Sequence, residues 1–372
     1  MSAFWAIVRN EMVQLYRDQW YLFLLTVGAL TSLIIMAFTL SADIENVATV
    51  IVDLDHSWES RRFAQTVLND DFFAVDFAPD RPYAEHQLQE GQAKVALIIP
   101  AGYSQQISRG ETAQIQALID GSIPNIAELA RNHLSVLTSH HAQVLVEQAL
   151  ARQGRPIIVP LTFQPRIRYN PQLKTIASVM PGLMSVVLAV AAVGAAAAFG
   201  RERERGTLEM LICSPLGRWP LLLGRVIPYL LLGLFDVAVF ALLGYFAFQV
   251  PMRGSLPLFI LLSAAYLFAI TSTGVFIAQF LNTQHAAMMV TFMLFGISPS
   301  YLSDIFFPVF TMPAWLQQQS AMMPATHFTV IARSIFLKGV GWEALESNTL
   351  ALLATGGLMS LLAYLRFQKK LG

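Results

Sequence analysis

The segment RERERGTLEMLICSP, residues 201–215, lies between two long apolar runs at 176–200 and 220–248. An α-helix needs about 20 apolar residues to cross the hydrocarbon core of a bilayer, and each run is long enough for one crossing. The charged segment must therefore lie at one surface of a membrane. The rest of the chain can be placed relative to this point.

The composition agrees with a membrane protein. Of the 372 residues, 55% are apolar and 13% are charged, whereas a soluble domain has about 25% charged residues. The formal net charge is zero, so nothing in the charge predicts binding to nucleic acid. Cys213 is the single cysteine, which excludes an intramolecular disulfide and a multi-cysteine metal site. No metal site is predicted.

Apolar stretches predict six membrane-spanning helices. The first has no small-residue cleavage site behind it, so it is interpreted as a retained span and not as a cleaved signal peptide. Residues 1–19 before it have the pattern of an amphipathic helix that lies on the membrane surface, with a plain extension of the span as the alternative. Residues 367–372 form the tail that follows the last predicted span. The predicted spans are 20–40, 177–200, 220–247, 256–280, 287–308 and 348–366.

Residues 41–175 contain no spanning run and alternate between apolar and helix-compatible polar segments, which predicts a small α/β domain. A long helical pattern at 123–152 and an extended segment at 157–169 complete it. His140 and His141 are neighbours on that helix and point in different directions, so we expect solvated surface residues and not a metal site. The predicted strands are 47–54, 72–77, 95–99 and 115–119.

The predicted fold class is thus an α-helical polytopic membrane protein with six transmembrane helices and an inserted extracytoplasmic α/β domain. The distribution of Arg and Lys favours cytoplasmic termini, with residues 201–218 on the same side. The α/β domain and residues 309–347 would then be periplasmic. The latter contain apolar pieces too short to span, which predicts re-entrant or surface-lying helices.

The charged segment has the features of a short helix at the membrane surface. Gly206 permits a sharp turn, Thr207 can cap a new helix, and Glu209 in its first turn favours its positive end. Leu211 belongs to an apolar underside, and Pro215 ends the element. The preceding charges are expected to face lipid headgroups and the cytosol. An ordinary charged loop is the alternative.

The chain has no phosphate-binding loop of the form GxxxxGK[ST]. Only Lys174 precedes a Thr, and Leu173 stands where that motif requires Gly. Any ATP hydrolysis would therefore have to take place in a partner.

Residues 201–215 resemble the motif E-R-E-x-G-T-x-E-x-L-x-x-x-P, which follows the second span in permeases of ABC-2 type transporters. The resemblance covers the whole chain, including the six spans, the large outer domain with VDLDHS at 52–57 and the PATHF segment at 324–328. The matching positions are Glu202, Arg203, Glu204, Gly206, Thr207, Glu209, Leu211 and Pro215.

The resemblance implies that residues 201–218 form a coupling helix that docks on an ABC ATPase. Two ATPase subunits, which hold ATP and Mg²⁺, would work with two permease chains, either a homodimer or a pair with a related permease. The chain itself would hold no cofactor. The subgroup with a large outer domain is similar to bacterial multidrug or lipid export permeases of the inner membrane, for which a periplasmic membrane-fusion protein is a candidate partner besides membrane lipids.

Other residues are candidates for a substrate path. Asp236 lies in the middle of the third span, where an ionisable group costs about 2.5–3.5 kcal/mol to insert; it would face the path or the seam between chains, or lie hydrogen-bonded between helices. Arg225, near the end of the same span, is expected to extend to the membrane surface. The family resemblance assigns both the interface between the two chains and the substrate path to the second and fifth spans. The apolar face of Met289, Phe292 and Met293 would suit an amphipathic substrate if it lines the path, and plain packing between helices is the alternative.

Two alternatives to export remain open from the sequence. The chain could transmit ATP-driven motion to its outer domain without passing a substrate, or it could be a surface anchor without an ATPase, which leaves the charged motif unexplained. A cavity between the second and fifth spans would favour export, whereas a sealed seam would favour mechanical transmission.

Overall fold

A computed structural model of the chain describes residues 3–40, 46–152, 168–170, 174–206 and 217–367. It divides into two compact units. The membrane unit consists of Met1–Ala42 and Arg166–Gly372, and the inserted domain is Asp43–Pro165. The predicted extended segment at 157–169 lies mostly outside the described residues. The predicted fold class of a helical polytopic membrane protein with an inserted α/β domain is confirmed.

The described part of the membrane unit contains six helices that are long and apolar enough to cross a membrane, as the sequence predicted. The fifth was predicted to continue to residue 308, which is wrong. It ends at Leu302 because Asp304 adopts a left-handed backbone conformation (φ 59°) and its carboxylate accepts a hydrogen bond from Val309 N, which turns the chain away. Numbered in chain order, spans 1 to 6 are Gln19–Thr39, Thr175–Glu204, Arg218–Phe246, Leu256–Ala278, Gln284–Leu302 and Glu346–Arg366.

Helix α1, Ala3–Arg17, is separate from span 1 because the chain leaves the helical conformation at Asp18. The Asp18 carboxylate then caps span 1 by accepting from Tyr21 N at 3.2 Å. Helix α1 packs on span 3, where Ile7 lies so close that a Cβ on Gly224 would be 2.8 Å from its Cγ2. The amphipathic helix therefore has a protein partner on part of its surface.

The inserted domain has a four-stranded sheet in the order β2-β1-β3-β4. Strands β1, β2 and β3 are parallel, and β4 is antiparallel to β3. The parallel strands need helical crossovers, and β3 is buried at every position because helices cover both of its faces. The strands are β1 Val47–Asp53, β2 Phe73–Phe77, β3 Val95–Ile99 and β4 Gln116–Ile119, and the helices are α2 Trp58–Leu68, α3 Arg81–Gln89, α4 Tyr103–Arg109 and α5 Pro124–Arg152.

Between spans 5 and 6 the chain forms helices α6, Ala314–Met322, and α7, Pro324–Arg333. Helix α7 is buried in the bundle, where Phe328 stacks on Tyr266 of span 4 with ring centroids 4.4 Å apart. The Tyr266 hydroxyl donates to Ser185 O of span 2 at 2.6 Å, which satisfies its polar end in an apolar core. Spans 2 and 4 and helix α7 therefore form the centre of the membrane unit.

Spans 4 and 6 approach closely at Gly356, where an added Cβ would lie 2.4 Å from Phe268 Cδ1 and 3.2 Å from Ala269 Cα. We expect Gly356→Ala to lower the free energy of unfolding by about 1–3 kcal/mol, because the helices must move apart. Gly357 is the matched control, since a Cβ there meets nothing within 4 Å. Thermal unfolding of both variants in lipid nanodiscs measures the difference, and equal melting temperatures would contradict the close approach.

Candidate coupling site and membrane groove

The end of span 2 is joined to span 3 by a buried ion pair. The carboxylate of Glu202 pairs with the guanidinium of Arg225, whose side chain is 1% exposed. The guanidinium also lies over the ring of Phe199, 5.1 Å from its centroid. The expectation that Arg225 extends to the membrane surface is therefore wrong, because an acidic partner on the neighbouring span holds it inside the protein.

A second carboxylate is close to this pair. Glu11 of α1 is 4% exposed and lies on the helix face that also buries Val8 and Leu15. Burial raises the pKa of Glu11, while the positive charges of Arg225 and Arg201 oppose this rise. The charge of Arg225 thus acts on carboxylates of both α1 and span 2.

The next two residues of the motif join span 2 to spans 4 and 5. Arg203 Nη1 donates to Gln279 O at 2.8 Å and to Leu281 O at 3.3 Å, just after the end of span 4. Glu204 Oε2 accepts from Gln284 N at 2.9 Å and places a negative charge at the start of span 5. Both side chains are exposed, and both are also bound to protein groups. Arg205 is exposed, as expected for a side chain that faces solvent or lipid headgroups.

After these contacts the helix ends at Gly206, which has a φ of +70°, a value that glycine adopts without strain. Its N–H donates to Arg203 O at 3.2 Å. The turn expected at Gly206 is therefore present. The other matching positions lie outside the described residues, namely Thr207, Glu209, Leu211 and Pro215.

An apolar groove of about 510 Å³ lies between spans 1, 2 and 5. Met289 and Phe292 of span 5 line it, and both are more than half exposed. Met293 is 60% exposed but lies outside the groove wall. The lining residues are Leu24, Gly28, Ala29, Ser32, Met36, Val186, Val187, Ala189, Val190, Val193, Met288, Met289, Phe292, Gly296 and Ser300.

Each of the three groove helices is irregular beside the groove. Span 1 has a π-helical turn at Leu24–Gly28 and span 5 has one at Met293–Ile297. Span 2 is interrupted at Leu188, between Val187 and Ala189. Such turns weaken the regular hydrogen-bond ladder and are frequent at functional sites. The apolar pattern continues through all three helices and does not predict these turns.

Asp236 lies elsewhere, on the buried face of span 3. It is 2% exposed, and its Oδ2 has no hydrogen-bond partner among the described residues. It does not line the groove. In this chain the carboxylate faces the inside of the bundle, next to the buried residues Val237 and Phe240.

We expect Asp236→Val to raise the free energy of unfolding by about 1–3 kcal/mol, because it removes a buried polar atom that has no partner. Thermal unfolding in nanodiscs measures the gain. The exposed Asp71→Val change in the inserted domain is the control, with little expected effect. A loss of stability in Asp236→Val would mean that the carboxylate makes a favourable interaction in the bundle.

These features define a polytopic membrane permease with a domain inserted after its first span. The chain matches the family model described as ABC-2 family transporter protein over residues 19–365, and it belongs to that family. It is 27% identical over 368 residues to the probable multidrug ABC transporter permease YbhR of Escherichia coli, with 98% of each chain covered. It is 26% identical to YbhS, a protein of the same description, over 98% of this chain and 97% of YbhS. The inner membrane transport permease YhhJ is 28% identical, over 92% and 93% of the two chains.

Proposed function

We propose that the chain is the permease subunit of an ABC exporter that moves a hydrophobic or amphipathic substrate out of the cytoplasm or the inner leaflet. The observation that carries this proposal is the apolar groove between spans 1, 2 and 5. Its volume is in the range of pockets that hold drug-sized molecules. Its walls offer few polar groups, which fits a drug-like or lipid-like substrate.

A separate ATPase drives the movement through the coupling segment, defined here as residues 201–218. When the ATPase subunits close on ATP and Mg²⁺, they displace the part that follows Gly206. Arg203 and Glu204 hold the end of span 2 against the loop before span 5 and its first residue. A displacement of span 2 is therefore passed to span 5, and both are walls of the groove.

Several features of the complex belong to the same proposal. Two ATPase subunits act on two permease chains, which are identical or related, and a periplasmic membrane-fusion protein is a further partner. The names of YbhR and YbhS support a multidrug substrate, and that of YhhJ supports the inner membrane. The excess of Arg and Lys at the coupling segment and near both termini supports a cytoplasmic location of the termini.

The groove also bears on the choice between export and mechanical transmission. A chain that only transmits motion needs no space beside spans 2 and 5, and packing there would be tight. A groove of about 510 Å³ with irregular turns in its walls supports export.

The proposal is tested by charge reversal in the coupling segment. We expect Glu204→Lys and Glu209→Lys to abolish most substrate-stimulated ATPase activity of the reconstituted complex. Glu90→Lys, an exposed change in the inserted domain, is the control. Pull-down of the ATPase separates loss of docking from loss of movement. If both variants are expressed normally and keep full ATPase coupling and export, the proposal fails.

A further inference from the structure

The groove stops before the end of span 2 that lies farthest from the coupling segment. Val186 and Ser300 are the last wall residues in that direction on spans 2 and 5. On span 2, Gly182 lies one turn beyond Val186 and Ser178 lies two turns beyond it, about 6 and 12 Å along the helix axis. On the side of span 5, the chain turns at Asp304. A substrate that continues along the groove in this direction meets these two segments.

The first contact beyond the groove is apolar. A Cβ on Gly182 would lie 3.1 Å from Ile305 Cγ1 and 3.2 Å from Thr329 Cγ2 of helix α7. Ile305 is 4% exposed, and Thr329 is fully buried. Span 2, the segment after span 5 and helix α7 are therefore in close contact at this level, which leaves no room for a substrate.

An arginine joins the same three elements one turn further along span 2. Arg333 is the last residue of α7, and its Nε donates to Ser178 O of span 2 at 2.9 Å. Its Nη1 donates to Asp304 Oδ2 at 2.6 Å, and its Nη2 donates to Ile305 O at 3.3 Å. A guanidinium suits this arrangement because its donors are fixed in one plane and point in different directions. Arg333 thus binds span 2 and the segment after span 5 at the same time.

Helix α7 and the turn after it are in turn held by spans 3 and 4. In the loop between these spans, Arg253 N and Gly254 N donate to Phe336 O and Ile335 O, each at 3.0 Å. The ring of Phe336 meets that of Phe259 of span 4 edge to face, with centroids 5.1 Å apart. Helix α7 is therefore a fixed support, to which Arg333 attaches the ends of spans 2 and 5.

Two features allow these attachments to open. The side chains of Arg333 and Asp304 are 24% and 33% exposed, so water can replace their bonds at little cost. Pro181 lies inside span 2 and has no N–H for the helical hydrogen-bond ladder, which weakens the helix between Ser178 and the groove. The first turn of span 2 can therefore move away from the segment after span 5 while the rest of the span stays packed.

We propose that Arg333 is a clamp that keeps this end of the groove closed, and that its bonds to Ser178 and Asp304 break when a substrate leaves. This inference rests on the proposed export through the groove. Arg333 does not line the groove, so it acts by positioning the two segments and not by binding the substrate. A displacement of span 2 that begins at the coupling segment would reach Ser178 at the other end of the same span.

The first test measures closure without transport, in the full chain in lipid nanodiscs. In a Cys213→Ser background, Ser300→Cys places a thiol at the end of the groove wall, and its reaction with a charged methanethiosulfonate that does not enter lipid is timed. We expect Arg333→Gln or Asp304→Asn to speed this reaction about fivefold, at the upper end of the effect of one partly exposed ion pair. Asparagine also adopts the left-handed conformation, so the turn at residue 304 is kept.

The controls separate opening of the groove from a general loss of structure. Arg253→Gln removes an exposed positive charge from the loop that supports α7 and should not speed the reaction. A thiol from Trp315→Cys, at a position 63% exposed on α6, should react at the same rate with and without Arg333→Gln. Arg333→Lys keeps the charge but not the fork of donors, so we expect a rate between those of the native arginine and the glutamine.

The second test closes the same contact with a disulfide. Because a Cβ on Gly182 would lie 3.1 Å from Ile305 Cγ1, the pair Gly182→Cys and Ile305→Cys can meet the Cβ separation of about 3.5–4.5 Å that a disulfide needs. With the ATPase present in proteoliposomes, we expect oxidation to stop efflux of an amphipathic dye and reduction to restore it. Neither single variant should respond to the oxidant.

The clamp and the export path fail in different ways. Unchanged labelling of Ser300→Cys in Arg333→Gln, or labelling of Trp315→Cys that rises equally, would overturn the clamp. A disulfide that forms and leaves efflux unchanged would also overturn it, while the export path would stand if Ser32→Trp, which fills the groove, still blocks the dye. If Ser32→Trp does not block the dye, the export path is wrong, and the clamp is wrong as a part of it even where the labelling rates change.

Discussion

Replacement of Arg225 by Met is expected to lower the free energy of unfolding of the membrane unit by about 3–5 kcal/mol, because breaking a buried ion pair leaves its partner charge uncompensated. Arg225 is 1% exposed and pairs with Glu202, and its charge also acts on the buried carboxylate of Glu11. Methionine fills much of the same space without the charge. Two carboxylates would then remain close together without the cation that opposes their burial.

Thermal unfolding of the purified permease in nanodiscs measures this effect. Arg205→Met is the matched control, since Arg205 is exposed, and we expect it to change the melting temperature little. Adding Glu202→Gln to Arg225→Met should restore at least part of the loss, because a neutral pair needs no compensating charge. An unchanged melting temperature in Arg225→Met would show that the pair contributes nothing to stability.

The features that depend on length and periodicity could be predicted from the sequence. Spans are set by the thickness of the bilayer, so an apolar run of sufficient length is enough to locate them. The strand Val95–Ile99 was predicted at its observed bounds, because a short apolar run between polar segments is typical of a buried strand in an α/β domain. Helix α2, Trp58–Leu68, lies in one of the helix-compatible polar segments between the predicted strands, and Ser57 and Ser60 form a capping box at its start.

The features that depend on partners far apart in the sequence could not be predicted in the same way. Arg225 was expected at the membrane surface because arginine side chains near the end of a span usually extend there. Glu202 on another span gives it a buried partner instead. Glu11 and His141 are polar residues that lie beside apolar residues on their helices. Whether they are buried depends on which other helix or sheet packs against that part of the helix. The groove depends on irregular turns in three helices, and an apolar pattern does not reveal them.

Filling the groove is expected to stop transport. Ser32 of span 1 lines the groove and is exposed, so Ser32→Trp can place an indole in the space without displacing the core. We expect efflux of an amphipathic dye such as Hoechst 33342 by the reconstituted complex to fall at least about tenfold, since a substrate of drug size fills most of a pocket of this volume. The measurement is dye transport into or out of proteoliposomes that contain the permease and its ATPase.

Ile35→Trp is the control on the same helix, because Ile35 is 60% exposed and is not part of the groove wall. It adds the same side chain to the same span, so any general effect of a large aromatic residue on insertion or assembly appears in both variants. Both should retain the ATPase in a pull-down, because neither change touches the contacts of Glu202, Arg203 or Glu204. If Ser32→Trp transports the dye as fast as Ile35→Trp, the substrate does not pass through this groove, and mechanical transmission becomes the better account of the chain.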